Sequence, residues 1–97
     1  MKLPDFSPQA FLDLQGILVY IARDKPQAAR RFVKRLKDEC RFLATTPLAG
    51  TSRDDLSSGL RAFSVGNYII YFHATETGIR VERVLHGSRD VDMMFFE

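Results

Sequence analysis

The stretch GLRAFSVGNYIIYF, residues 59–72, decides the fold that this sequence predicts. Two runs rich in aromatic and β-branched residues flank Gly66-Asn67. A two-residue turn of this kind needs positive φ angles, which glycine and asparagine tolerate, so the pattern predicts a β-hairpin. The turn ATETG, which ends at Gly78, leads into a third strand with the sequence IRVERVLH. Because both connections are short, we expect an antiparallel meander of three strands.

Upstream of the hairpin, the apolar residues change to helical spacing. Ser7 is placed to cap a first helix, with Pro8 at its first position and its end near Ala22. The apolar stripe predicted for this helix consists of Phe11, Leu14, Leu18 and Ile21.

A second helix is predicted to begin at Pro26 and to end at the sequence TTPLAG. Its apolar stripe consists of Ala29, Phe32, Val33, Leu36, Cys40 and Leu43. A short strand over residues 2–6 is predicted to precede both helices. The predicted fold class is α+β, a single domain over residues 1–97. In it, an N-terminal antiparallel helix hairpin packs on one face of a small, mainly antiparallel sheet.

The strand pattern also predicts how the two faces of the sheet are used. Alternation places Ile79, Val81 and Leu85 on one face of the last strand, with Arg83 in their phase. Residues 68–72 are apolar on both faces, and the helices can cover only one. We expect a C-terminal segment or a second chain to cover the other face, since a bare apolar surface of that size is unusual in a monomer.

Composition limits the classes of protein that this chain can belong to. With 45% hydrophobic and 27% charged residues in 97, it is typical of one globular domain. The single cysteine, Cys40, excludes an internal disulfide and fits a reducing cytoplasm. We interpret it as a core residue. No positively charged leader precedes an apolar run at the start, and no apolar run is long enough to span a bilayer, so we expect a soluble cytoplasmic protein.

The charge is concentrated in the second predicted helix. Residues 23–41 contain eight Lys or Arg against three Asp or Glu, a local surplus of +5. A surface of this kind is either a solvated helix face or an attractor for an acidic protein or nucleic acid.

The sequence RVERVLHGSRD, residues 80–90, contains a histidine among arginines. Arg61, Arg83, His86 and Arg89 are predicted to lie near one end of the sheet. Such a group could carry out acid–base chemistry on a phosphodiester. A second acid is missing, however, because the tail VDMMFFE has no tyrosine and His73 is predicted at the opposite end.

The alternative is a structural role for the same residues. His86 then bonds to nearby backbone, and Arg89 forms a local ion pair with Asp90. Arg83, if it is buried, needs a carboxylate such as Asp54, Asp55 or Asp90. Two distant histidines and scattered carboxylates form no metal-ligand cluster, so neither a metal nor a cofactor is expected.

The two most specific stretches, GLRAFSVGNYIIYF and RVLHGSRD, follow the predicted helices in an order that resembles the ParE branch of the ParE/RelE toxin superfamily. The resemblance extends over nearly the whole chain. It implies a bacterial type II toxin that stabilises plasmids or chromosomal segments, that inhibits DNA gyrase by binding and not as an enzyme, and that a ParD-like antitoxin neutralises. The alternatives are a RelE-like ribosome-dependent mRNA endonuclease that uses Arg61, His86 and Arg89, or a non-toxic relative that acts as an antitoxin corepressor.

The sequence departs from the nuclease pattern of this superfamily. Ser64 and Asn67 stand in the stretch where a RelE-like toxin tends to have an arginine, and Phe95 stands where a terminal tyrosine would help catalysis. We therefore favour the gyrase-binding function, with a homodimer as a further option and without direct binding of nucleic acid or membrane. The candidate residues for binding the antitoxin or the target are Arg30, Lys34, Arg61, Tyr71, Arg83, His86, Arg89 and Phe95.

Overall fold

Two helices and a five-stranded sheet make up the computed structural model, which describes residues 1–89 and 91. The helices are α1 (Pro8–Ala22) and α2 (Pro26–Thr45). The strands are β1 (Leu3–Phe6), β2 (Thr51–Ser52), β3 (Leu60–Val65), β4 (Tyr68–Thr75) and β5 (Gly78–His86), and a 3-10 turn (Pro47–Ala49) precedes β2. The strand order is β1-β5-β4-β3-β2, with only the β1–β5 pair parallel. The predicted α+β architecture is confirmed, whereas the two-residue β2 was not predicted.

The first helix begins where the sequence predicted. The Ser7 hydroxyl accepts a hydrogen bond from the Ala10 N–H at 3.0 Å and donates one to the Glu82 carbonyl at 2.6 Å. One buried side chain therefore caps α1 and ties it to β5. No helix among the described residues has the length and apolar character that crossing a membrane requires.

Two glycines set the turns of the meander. Gly66 has a φ of +59°, as the predicted hairpin turn requires. Gly78, at the start of β5, has a φ of +142°, and a Cβ added there would lie 2.0 Å from the Leu3 carbonyl oxygen. Only glycine therefore lets β1 lie this close to β5.

The main core lies between the helices and the sheet. Its buried residues are Ala10, Leu14, Ile17, Val33, Leu36, Cys40, Leu43, Ala44, Val65, Ile70, Phe72, Ile79, Val81 and Val84. The stripe predicted for α1 was wrong at Phe11, which is 56% exposed. Ala10 and Ile17 are buried instead, because they lie with Leu14 at spacings of four and three on the face of α1 that meets the core.

The opposite face of the sheet, which we call the far face, is covered by the chain itself. Tyr71 and Leu85 are each only 3% exposed there, and they pack with Leu60 and with Leu56 from the loop over residues 53–59. Val91 packs against the same cluster. Val91 agrees with the expectation that a C-terminal segment covers this face, but the covering loop over residues 53–59 was not predicted.

A shift in register changes which side chains of β5 face the helices. Phe72 pairs with Val81, but its neighbour Tyr71 pairs with Arg83, so β5 contains one extra residue at this point. Val84 therefore joins the main core, and Leu85 joins the far-face cluster. The prediction that Leu85 shares a face with Val81 was wrong for this reason.

Candidate functional site

His86 ends β5 beside an aromatic side chain and a serine. Its ring meets the Tyr68 ring edge-on, with the centroids 5.2 Å apart and an interplanar angle of 83°. The Ser88 N–H donates to His86 Nδ1 at 3.2 Å, and the Ser88 hydroxyl lies 2.7 Å from the same nitrogen. Because an N–H donates to Nδ1, the neutral His86 ring carries its proton on Nε2.

An open groove of about 720 Å³ adjoins His86, and we call it the aromatic groove. It is lined by Tyr20, Ile21, Phe32, Gly66, Asn67, Tyr68, His86 and Ser88. The rings of Phe32 and Tyr68 pack with their centroids 5.5 Å apart. With rings along its walls and no carboxylate among its described lining residues, the groove is suited to apolar or aromatic side chains of a partner.

Arg89 lies beside a second groove, which continues from the first along α1. This groove measures about 250 Å³ and shares Tyr20, Tyr68 and His86 with the aromatic groove. Arg89 is exposed, so it can meet a negative charge on whatever occupies this second groove.

Arg83 has a structural partner that the sequence did not indicate. Its Nε and Nη2 atoms donate to the two carboxylate oxygens of Asp13 in α1, at 2.8 and 2.9 Å. Asp13 also accepts the Val84 N–H at 2.9 Å. The bond to Asp13 raises the pKa of the Arg83 guanidinium above its usual range. The side chain therefore stays charged and joins β5 to α1.

The carboxylates predicted for Arg83 lie elsewhere. Asp54 accepts the Gly59 N–H at 2.8 Å, and Asp55 bonds to Arg53 at 3.0 Å, both within the loop over the far face. Asp90, which was also predicted as the partner of Arg89, lies outside the described residues. Sequence spacing could not indicate Asp13, because it precedes Arg83 by 70 positions.

Arg61 lies away from His86, contrary to the prediction that both occupy one end of the sheet. Arg61 pairs with Phe72 on β4, whereas His86 pairs with Tyr68. These positions on β4 are four residues apart, or roughly 13 Å along the strand. The Arg61 guanidinium donates to the carbonyls of Pro47, at 3.2 Å, and Gly50. Arg61 therefore joins strand β3 to the segment that precedes β2.

Arg30 and Lys34 are exposed on α2, where they border a shallow groove of about 290 Å³ with Lys37 and Arg41. Lys34 and Arg41 both bond to Asp38, at 2.9 and 2.7 Å. The hydrogen bond from Lys34, followed by the charges of Lys34 and Arg41, lowers the pKa of the Asp38 carboxyl. Most of the positive charge on this surface, which we call the basic α2 face, remains available to an acidic partner.

Two candidate residues, Tyr71 and Phe95, and the second histidine, His73, lie apart from these surfaces or outside the described residues. Tyr71 is buried in the far-face cluster, and Phe95 lies outside the described residues. His73 is at the opposite end of the meander from His86, as predicted, and its two ring nitrogens lie 3.0 Å from Glu82 Oε2 and 3.2 Å from the Ser58 carbonyl oxygen. In residues 1–89 and 91, no three His, Cys, Asp or Glu side chains come together as metal ligands.

Cys40 is fully buried, which confirms its interpretation as a core residue. Burial raises the pKa of its thiol to about 12, so the reactive thiolate is absent near neutral pH.

Apart from His86, the residues that line the aromatic groove were not predicted as functional. Phe32 was interpreted as a core residue, but it is only half-buried and projects from the edge of its stripe towards Tyr68. Tyr20 is 67% exposed, although it belongs to an apolar helix. A large aromatic residue just off the centre of a helical stripe is the signal that could have revealed this groove.

Comparison with known proteins adds a family to this geometry. The family model described as "ParE toxin of type II toxin-antitoxin system, parDE" matches residues 5–91. Among solved structures, a chain from the chromosomal ParDE toxin–antitoxin system of P. aeruginosa is similar, with a TM-score of 0.74 and 18% identity. The alignment covers 89% of this chain and 96% of that one. No curated protein matches the chain.

Proposed function

Because this chain belongs to the ParE toxin family of parDE type II toxin–antitoxin systems, we propose that it inhibits DNA gyrase in the cytoplasm by binding to it, and that a ParD-like antitoxin neutralises it. The separation of Arg61 from His86 is the observation that favours binding over catalysis. A ribonuclease that used Arg61, His86 and Arg89 would need all three side chains around one phosphate.

The hydrogen bonds of Arg61 support the same choice. Its guanidinium is committed to the carbonyls of Pro47 and Gly50 on the β2 side of the sheet. The Nδ1 atom of His86 is engaged by Ser88. Without Arg61 nearby, His86 lacks one of the arginines that the nuclease alternative requires around a phosphodiester.

Two surfaces support a protein partner. The aromatic groove offers rings to apolar side chains, and His86 lies on its wall. The basic α2 face offers positive charge, which speeds the encounter with an acidic chain. We propose that the antitoxin places aliphatic or aromatic side chains in the groove and acidic residues against Arg30 and Lys34.

The proposal is tested with purified protein and DNA gyrase. We expect the protein to inhibit supercoiling and to accumulate cleaved DNA, and we expect the cognate antitoxin to reverse both effects. Unchanged supercoiling at a large molar excess of a protein that still arrests growth would overturn the gyrase target.

A parallel assay on translating ribosomes separates the nuclease alternative. We expect no new mRNA ends from the wild type. Cleavage that disappears in both His86→Ala and Arg61→Ala would contradict the proposal, because it would place these two distant residues in one active site. Arg80→Ala is the matched control, since Arg80 is an exposed arginine of the same strand as His86.

A further inference from the structure

The outward face of α1 exposes large apolar side chains and carries no charge. Phe11, Leu12, Val19 and Tyr20 are 56%, 63%, 58% and 67% exposed, and we call them the α1 strip. The only charged residue of this helix is Asp13, whose carboxylate is bonded to Arg83.

The strip has a regular geometry. Leu12 and Val19 are seven residues apart, close to two helical turns, so they lie on one line along the helix. Gly16 lies between them, and a Cβ added there would have no heavy atom within 4 Å. Phe11 and Tyr20 flank this line on opposite sides. The strip is therefore a short apolar ridge with a gap near its centre.

We propose that α1 packs antiparallel against α1 of a second copy of this chain, forming a two-fold symmetric homodimer. Leu12 and Val19 lie equally far from the Gln15–Gly16 peptide bond, and so do Phe11 and Tyr20. A two-fold axis beside that bond places Leu12 of each copy opposite Val19 of the other. It also brings Phe11 to the same level as the partner's Tyr20. The strip is thus complementary to itself, as an isologous interface requires.

Charge favours a second copy over an acidic partner at this surface. Residues 23–41 carry a surplus of +5, so two copies repel each other if they approach through α2. The α1 strip brings no charge into the contact. An acidic chain meets Arg89 beside the strip, but the cluster of four basic side chains on the basic α2 face attracts it more strongly.

The available area is sufficient for a weak dimer. Each large side chain has a surface area of about 150 to 250 Å². Multiplied by the exposed fractions of the four strip residues, these areas give roughly 500 Å² of accessible surface per copy. Two copies bury about 1,000 Å², the lower limit for a specific interface. We therefore expect a weak dimer that dissociates on dilution.

Sedimentation of the purified full-length chain over a range of concentrations tests the dimer. Leu12→Lys and Val19→Glu should each raise the dissociation constant by about tenfold or more, since each places a charge against an apolar side chain. The double variant should recover part of this loss, because every new lysine then faces a glutamate of the partner. Leu48→Lys is the control and should dimerise like the wild type, since Leu48 is 80% exposed in the 3-10 turn.

Cysteine cross-linking tests the register without introducing a charge. A mixture of Leu12→Cys and Val19→Cys proteins should form mixed disulfides, and each protein alone should form far fewer. The buried Cys40 does not interfere. A wild type that stays monomeric, a double variant that fails to recover, or cross-links only between like positions would overturn the proposal. These readouts do not depend on gyrase, so they can fail while the proposed function holds.

Discussion

Arg83 of β5 and Asp13 of α1 form a two-point contact, with Nε to Oδ2 at 2.8 Å and Nη2 to Oδ1 at 2.9 Å. The side chains are only 21% and 13% exposed. The same carboxylate accepts the Val84 N–H beside the extra residue of β5. The contact therefore fixes α1 against the sheet at the point where the strand is irregular.

Removing the Asp13 carboxylate should destabilise the fold. We expect Asp13→Ala to lower the free energy of unfolding by about 2 to 4 kcal/mol, because it takes a counter-charge from Arg83 and an acceptor from Val84. Urea denaturation measures the change. Asp38→Ala removes an exposed ion pair of α2 and should leave the denaturation midpoint unchanged. Equal effects of the two substitutions would show that the α1–β5 contact has no special role.

The fold could be predicted because local patterns and packing agree. The hairpin at Gly66-Asn67 and the cap at Ser7 depend on neighbouring residues alone, and both were predicted correctly. The family also followed from the sequence, since residues 59–72 and 83–90 both lie within the region, residues 5–91, that the family model matches.

What could not be predicted depends on contacts between distant parts of the chain. The pairing of Arg83 with Asp13 requires α1 to lie across β5. The extra residue of β5 exchanged the faces of Val84 and Leu85, and alternation alone cannot reveal it. Much of the cover of the far face comes from Leu56, the buried apolar residue of an otherwise polar loop.

Reversing the charge of the basic α2 face should slow the association of an acidic antitoxin. We expect Arg30→Glu with Lys34→Glu to lower the association rate constant by about tenfold or more at low salt, while dissociation changes little. Surface plasmon resonance at two salt concentrations measures both rates. Lys2→Glu, an exposed residue next to β1, is the control and should have a smaller effect. An unchanged association rate for the double variant would exclude this face as the site of encounter.

Two glycine-to-alanine substitutions should change stability in opposite directions. Gly78→Ala should cost about 3 kcal/mol or more, because its Cβ would collide with the Leu3 carbonyl at a φ that side chains avoid. Gly16→Ala should stabilise by up to about 1 kcal/mol, because the helix gains alanine and the site is open. Thermal unfolding at low protein concentration compares them. A stable Gly78→Ala protein would contradict the close approach of β1 to β5.

The buried thiol of Cys40 should make stability depend on alkaline pH. Its pKa rises from 9.0 to about 12 on folding, so only the unfolded chain ionises between these values. Above pH 9 the folded state binds one more proton than the unfolded state. The contribution of Cys40 to the free energy of unfolding should then fall by about 1.4 kcal/mol for each pH unit between the two pKa values. Urea unfolding at pH 8 and pH 10 should show this loss in the wild type but not in Cys40→Ala. Tyrosines and lysines titrate alike in the two proteins, so their contribution cancels in that comparison. An identical pH dependence of stability in both proteins would mean that the Cys40 thiol is not buried away from water.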